Sequence, residues 1–247
     1  MRLLAIVLGL SLLGSFGGLL VASSLLLFTA KVRTRLVPWL VSYAVGALLG
    51  VALLALLPEA LESLAPSQAF GTLLVGILVF FVLEKLVLLR HSHADEYSVH
   101  TAAPLVVLGD AFHNFIDGAT VCAAVLTSVP LGVNTAIAVA AHEIPQEVGD
   151  VAILLAAGYS RSRALMLNVV SGASGIAGAL AAYALVGVVP GVRPFLLALS
   201  SASLLYIAMS DLIPDLHRGQ IDPNPARQVL LIAAGIGTVV LFEQLVG

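Results

Sequence analysis

Charge is what this chain has least of. Only 10% of its 247 residues are Asp, Glu, Lys or Arg, against about 25% in an ordinary globular protein. So few charges cannot cover the surface of a water-soluble fold of this length. A cytosolic enzyme, a disordered regulator and a nucleic-acid partner are excluded together. Cysteine is nearly missing as well: Cys122 alone rules out a disulfide framework and any multi-cysteine metal site. Nor is there an excess of one sign, since a formal net charge of −3 points to neither a strongly acidic nor a strongly basic partner. Apolar residues fill the space, with 60% hydrophobic composition and a mean hydropathy of +1.09. The solvent that suits such a chain is a lipid bilayer.

A spanning helix needs roughly 20 apolar residues, and apolar runs broken by polar or proline clusters give eight of them here. The expected spans are 3–30, 36–58, 69–90, 102–127, 131–158, 163–188, 194–215 and 227–246. They leave no room for a second domain, so residues 1–247 read as one transmembrane unit. The runs are long and unalternating, which argues for helices over the short alternating strands of a β-barrel. The first run, Leu3 to Ala30, exceeds a signal-peptide core and ends in Lys31, Arg33 and Arg35, so it reads as a span.

Loop charges orient the bundle. One side collects Lys31, Arg33, Arg35, Lys85, Arg90, Arg161, Arg163, Arg218 and Arg227, and the other only Arg2 and Arg193. Both termini are therefore expected outside, with the basic loops in the cytoplasm. Short loops favour a bacterial inner membrane. Spans two and seven both end in a Leu/Ile-Pro-acid element, Leu57-Pro58-Glu59 and Ile213-Pro214-Asp215, and cross in opposite directions. That is the pattern of an inverted-repeat bundle, although such pairs also simply mark helix ends.

Most ionisable residues sit at span ends, where they can reach water. Spans four and five differ. Span four holds Asp110, His113, Asn114 and Asp117, and span five holds His142, Glu143, Gln146, Glu147 and Asp150. Spacings of three and four stack these groups into one stripe per helix. At 1.5 Å per residue, His113 and Asp117 lie about 14 and about 20 Å into span four, and His142 and Gln146 about 17 and about 23 Å into span five. In a hydrocarbon core about 30 Å thick, both stripes fall near the middle. Neither span contains Lys or Arg. A hydrogen-bonded network gluing two helices leaves that many carboxylates unneutralised, whereas a divalent metal balances them. Imidazole, carboxylate and amide together suit Zn²⁺ or a neighbouring transition metal. Pro145 should kink span five at the stripe, and Gly118 leaves room for another backbone. Gly14-Gly18 and Gly46-Gly50 have the spacing of close helix contacts, within or between chains.

At these residues the sequence resembles the ZIP (Zrt/Irt-like) family of metal-ion transporters. Gly109 to Gly118, GDAFHNFIDG, matches that family's HNFxDG signature, and HEIPQEVGDVAILL from His142 resembles its HExPHE motif. LLPEALE after span two and LYIAMSDLIPDL in span seven are weaker likenesses. The resemblance implies a transporter rather than an enzyme, a homodimer, and uptake into the cytoplasm. Zn²⁺ would be the cargo, with Cd²⁺, Fe²⁺ or Mn²⁺ as alternatives, and there would be no prosthetic group. It also implies a binuclear site. One metal would use His113, Asp117, His142 and Gln146, and the second Asn114, Asp117, Glu143 and Gln146, with Asp117 bridging and Glu147 assisting. Asp110 and Asp150 would line the exit, or sit at a wet helix end.

The chain departs from the family pattern in three places. Gln146 replaces a frequent His, which weakens soft-metal preference. Val51 and Ala55 stand where other members often carry Asp and His. The cytoplasmic histidine-rich loop shrinks to His91, His93 and His100. Two rival readings come from other classes. An intramembrane zinc-dependent hydrolase would start from His142-Glu143, but Gln146 breaks the HExxH pair. A proton-coupled organic-solute carrier would use the carboxylates and has no need for two histidine stripes.

Overall fold

The computed structural model describes residues 2–25, 30–92, 99–217 and 224–246, and these are almost entirely helical, with no strand among them. Helix α1 is Arg2–Leu25. Helices α2 (Ala30–Gly50) and α3 (Leu57–Ser63) form one rod through a π-helical segment, Val51–Leu56. Next come α4 (Pro66–Ser92), α5 (Val99–Thr127), α6 (Val129–Ala156), α7 (Arg161–Gly172) and α8 (Ser174–Val188). Helices α9 (Arg193–Tyr206) and α10 (Ile213–His217) are again joined through a π-helical segment, Ile207–Leu212, and α11 is Pro225–Val246.

Among the described residues, 6 helical stretches are long and apolar enough to cross a membrane: Arg2–Ser24, Arg35–Ser63, Pro66–Leu83, Arg161–Val188, Arg193–Leu212 and Pro225–Leu245. Helices α5 and α6, at 29 and 28 residues, are long enough but carry the two polar stripes.

Three expected spans differ from the observed elements. The second rod begins at Ala30, not at 36, and runs on to Ser63 beyond Pro58. The sixth is broken at Ala173, inside Ser171-Gly172-Ala173-Ser174-Gly175, where two glycines and two serines of weak helix preference flank the break. The break sets two serines against α5: Ser171 Oγ bonds Asp110, and Ser174 Oγ bonds the carbonyl oxygen of Ala111. The seventh is interrupted by its π-helical segment.

Both π-helical segments precede a proline, and they have one cause. Pro58 and Pro214 lack an N–H and crowd the carbonyl four residues back. Widening the preceding turn moves that carbonyl aside: the N–H of Leu57 bonds Ala52 O and that of Ile213 bonds Ala208 O, each five residues back. The two Pro-acid elements thus share a backbone distortion as well as a sequence. Pro145, by contrast, is accommodated without breaking α6.

Helix α5 packs on α6 and α8, α1 on α6, and α7 on α5, which builds one group around the polar stripes. Helix α2 packs on α11 and α4 on α9 in the other. Between the groups lies an apolar cluster in which Leu48, Val51, Ala52 and Leu56 meet Ala123, Ala124 and Leu204. Val51 and Ala55 both belong to this cluster, so α2 presents apolar packing at these two positions. The small-residue pairs act within the chain. A Cβ on Gly18 would lie 2.5 Å from Glu143 Cβ, and one on Gly46 would lie 2.0 Å from Ile232 O. Neither pair supplies a seam for a second copy.

Candidate metal centre

Ser128 alone separates α5 from α6. Its hydroxyl accepts from the N–H of Leu131 at 3.2 Å, capping α6, and the chain reverses at once. The two polar stripes are therefore antiparallel and adjacent. From the other side α8 comes so close that a Cβ on Gly118 would stand 1.8 Å from Gly175 O. The close approach expected of Gly118 is met by this helix, and it fixes the rotation of α5 next to Asp117.

The stripes bring four side chains to one point. His113, Asp117, His142 and Glu143 each offer a ligand atom, and all four lie within 4.8 Å of one another. His142 Nε2 is 2.9 Å from His113 Nε2 and 3.0 Å from Asp117 Oδ2. Asp117 Oδ2 is 3.4 Å from His113 Nε2, and Glu143 Oε1 is 3.6 and 3.7 Å from the His113 and His142 nitrogens. The orientation of the His142 ring follows from its other nitrogen. Nδ1 lies 3.1 Å from the carbonyl oxygen of Ala138. A carbonyl only accepts, so Nδ1 carries a proton, and Nε2 is the ring nitrogen turned to Asp117 and His113.

Nε2 faces a carboxylate oxygen, which is an acceptor, and a second imidazole. Glu143 is fully buried, and neither of its oxygens has a hydrogen-bond partner; nor does Asp117 Oδ1. Acceptors crowded on one point repel unless a proton or a cation stands among them. A tetrahedral zinc site with ligands at about 2.0–2.2 Å has ligand–ligand edges of about 3.4 Å. The observed separations, 2.9 to 3.7 Å, straddle that figure. The donor set fits a borderline divalent metal.

One turn along, Asp110, Glu143 and Glu147 form a second group within the same 4.8 Å. Asp110 is buried. Its Oδ1 accepts from Asn114 Nδ2 at 3.0 Å and Gln146 Nε2 at 3.1 Å, and its Oδ2 accepts from Ser171. Glu147 Oε2 accepts from Asn168 Nδ2, at 2.5 Å.

All nine sequence candidates thus lie on one pair of helices, grouped differently from the resemblance. Gln146 turns its amide to Asp110 and away from the histidines. The carboxylate common to both groups is Glu143, where the resemblance had Asp117. Asp110 is inside the site, and Asp150, half-buried with Oδ2 unpartnered, is the group nearest the end of the stripe. Asn168 and Ser171 were overlooked in the sequence. They are three apart in an otherwise apolar run, the same signal that singled out spans four and five. The side chains of His91, His93 and His100 lie outside the described residues.

A family model described as ZIP zinc transporter matches residues 89–243, more than half the chain and both motif stretches. The chain belongs to this family. Zinc transporter ZIP13 of Pongo abelii is 36% identical over 221 residues, covering 83% of this chain and 66% of the relative. Human ZIP13 is 32% identical over 259 residues, covering 83% and 70%. Human zinc transporter ZIP4 is 41% identical over 132 residues, or 53% of this chain and 20% of that protein. The chain therefore spans about two thirds of the ZIP13 relatives and a fifth of ZIP4. These relatives are named as transporters, and nothing in the comparison favours a hydrolase.

Proposed function

We propose that this protein carries divalent transition metal, zinc above all, across a membrane into the cytoplasm. The cargo binds at His113, Asp117, His142 and Glu143. One observation carries the reading: two imidazole nitrogens and two carboxylates, all but the half-buried His113 fully enclosed and without any Lys or Arg on their helices, converge on one point. Membership of a zinc transporter family agrees with it. The cargo exchanges hydration water for these ligands, and no covalent chemistry is required. The family pattern extends the ligand set to Asn114, Gln146 and Glu147, and Asp110 and Asp150 continue the stripe towards the cytoplasm. Cd²⁺, Fe²⁺ and Mn²⁺ are the competing cargoes, since Gln146 replaces a nitrogen donor with an amide.

The same reading has α5 and α6 spanning as well, giving eight spans with both termini outside. Nine basic loop residues against two support that orientation. The matching π-helical segments before Pro58 and Pro214 support an inverted repeat and alternating access around a midplane site. Pairing of two copies rests on the family resemblance alone. The named relatives are from vertebrates, so a bacterial inner membrane rests only on the short loops.

Purified protein reconstituted into liposomes should take up radioactive zinc above the level of empty liposomes. Competition by Cd²⁺, Fe²⁺ and Mn²⁺ in the same vesicles ranks the cargoes. Uptake equal to that of empty liposomes would contradict the reading.

A further inference from the structure

We infer that Lys31, Arg35 and Arg227, gathered around Trp39 where α2 and α11 enter the membrane, bind the phosphate of an anionic phospholipid headgroup. The site lies apart from the metal centre and does not depend on the transport reading.

Helix α2 sets the spacing. Lys31, Arg35 and Trp39 follow one another at intervals of four residues, so they lie along one stripe of the helix, each about 6 Å beyond the last. Lys31 and Arg35 are exposed, and Trp39 is half-buried. Helix α11 supplies the third cation: the Arg227 guanidinium lies over the Trp39 ring, 5.2 Å from its centroid. Trp39 meets Arg227, Gly46 meets Ile232 and Gly50 meets Val239, so the two helices run side by side in the same direction. They touch backbone to backbone, since a Cβ on Gly235 would lie 2.3 Å from Tyr43 O. Neither helix has room to roll against the other, and Arg227 is held over the indole.

Height follows from the apolar runs. The stretches able to cross a membrane begin at Arg35 on α2 and at Pro225 on α11. Both arginines therefore stand where hydrocarbon gives way to headgroups, the level that tryptophan also prefers. Leu230, one turn beyond Arg227, is 70% exposed and offers an acyl chain a surface beside the cations.

Charge and shape select the occupant. Arg35 has no acidic partner among the described residues. A guanidinium presents a planar fork of donors that matches two phosphate oxygens, and the Lys31 ammonium adds a point charge. A zwitterionic headgroup brings its own cation to the same place and gains less, whereas an anionic phospholipid brings an uncompensated phosphate. Basic residues scattered through loops attract an acidic membrane surface without holding any one lipid. Here the donors belong to two helices locked together, and one is stacked on a ring, so little freedom is lost when a phosphate binds.

Trp39 is the chain's single tryptophan, so its fluorescence reads this place alone. The purified protein is reconstituted into phosphatidylcholine bilayers containing phosphatidylglycerol, with one lipid at a time carrying brominated chains, which quench indole on contact. Unbrominated bilayers of the same composition give the reference for each variant, and circular dichroism checks folding. Phosphatidylglycerol should be preferred over phosphatidylcholine roughly fivefold or more, as expected of at least one well-placed basic residue at the membrane surface. Arg35→Gln/Arg227→Gln should bring the preference to parity, whereas Arg161→Gln/Arg163→Gln, at the start of α7, should keep it. Equal quenching by the two lipids in wild type, an unchanged preference in folded Arg35→Gln/Arg227→Gln, or an equal loss in the α7 variant would each overturn the proposal. So would loss of the preference to inorganic phosphate but not to chloride of the same ionic strength, because the occupant would then be a soluble ion. None of these readings uses zinc, so failure of zinc uptake is a separate result.

Discussion

At the scale of single residues, the position that departs most usefully from the family motif is Gln146. Its amide bonds Asp110 at 3.1 Å, and so helps fix the acidic group while contributing no nitrogen to the histidines. Gln146→His should reverse this. An imidazole there adds a borderline donor and removes one donor from Asp110. We expect zinc and cadmium to gain over manganese in liposome competition, and an unchanged ranking would mean that residue 146 does not touch the cargo. His113→Ala, Asp117→Ala and Glu143→Gln each remove one convergent ligand. A well-placed metal ligand lost from such a site should lower zinc uptake at least tenfold, since the departed ligand leaves its neighbours pointing at one another.

The residues of this site were legible because charge in an apolar run is costly, so each instance needs a reason. Spacing alone put His113 with Asp117 and His142 with Gln146 on common faces. Which groups meet across the two helices was not legible. Helix rotation decides that, and rotation is set by Gly18 against Glu143 and Gly118 against Gly175, contacts between segments far apart in sequence. Asp110 shows the consequence: from its place near the end of span four it could have been wet, and the packing of α7 makes it buried.

At the scale of elements, the glycines in close helix contacts should be far less tolerant than those facing open space. A Cβ on Gly118 meets the backbone oxygen of Gly175 at 1.8 Å, whereas one on Gly71 meets nothing within 4 Å. Gly118→Ala must push α5 and α8 apart, at a cost of about 1–3 kcal/mol or more. Gly71→Ala should be neutral, or stabilising by roughly 0.5–1 kcal/mol through helix preference. Thermal melting in detergent distinguishes them: a clear fall for Gly118→Ala, none for Gly71→Ala. Equal melting points would show that the α5–α8 contact is looser than described. The π-helical segments belong to this scale too. Their prolines were visible in the sequence as span ends, but the helices continue past them, because one widened turn accommodates the missing N–H.

At the scale of the whole molecule, apolar composition alone dictated a membrane protein, and the helical rods follow the apolar runs closely. Sidedness depends on loop charges and can be measured directly. With Cys122 replaced, a cysteine at exposed Ser128, between α5 and α6, should react with a membrane-impermeant maleimide added outside intact cells. A cysteine at exposed Ser160, between α6 and α7, should react only after permeabilisation. The reverse pattern would invert the topology and with it the direction of transport. The sharing of work between the two helix groups was the least legible feature. One group carries every candidate ligand, and the other meets it through alanine, valine and leucine, which no spacing rule separates from ordinary core.

The most direct test of metal transport through this site is zinc uptake by liposomes holding wild type or His142→Ala at equal, folded protein content. His142 contributes Nε2, 3.0 Å from Asp117, on a ring held in place by the contact of Nδ1 with the Ala138 carbonyl. Uptake by wild type and loss to the level of empty vesicles in the variant is the predicted result. Equal uptake by both would show that the ion crosses elsewhere.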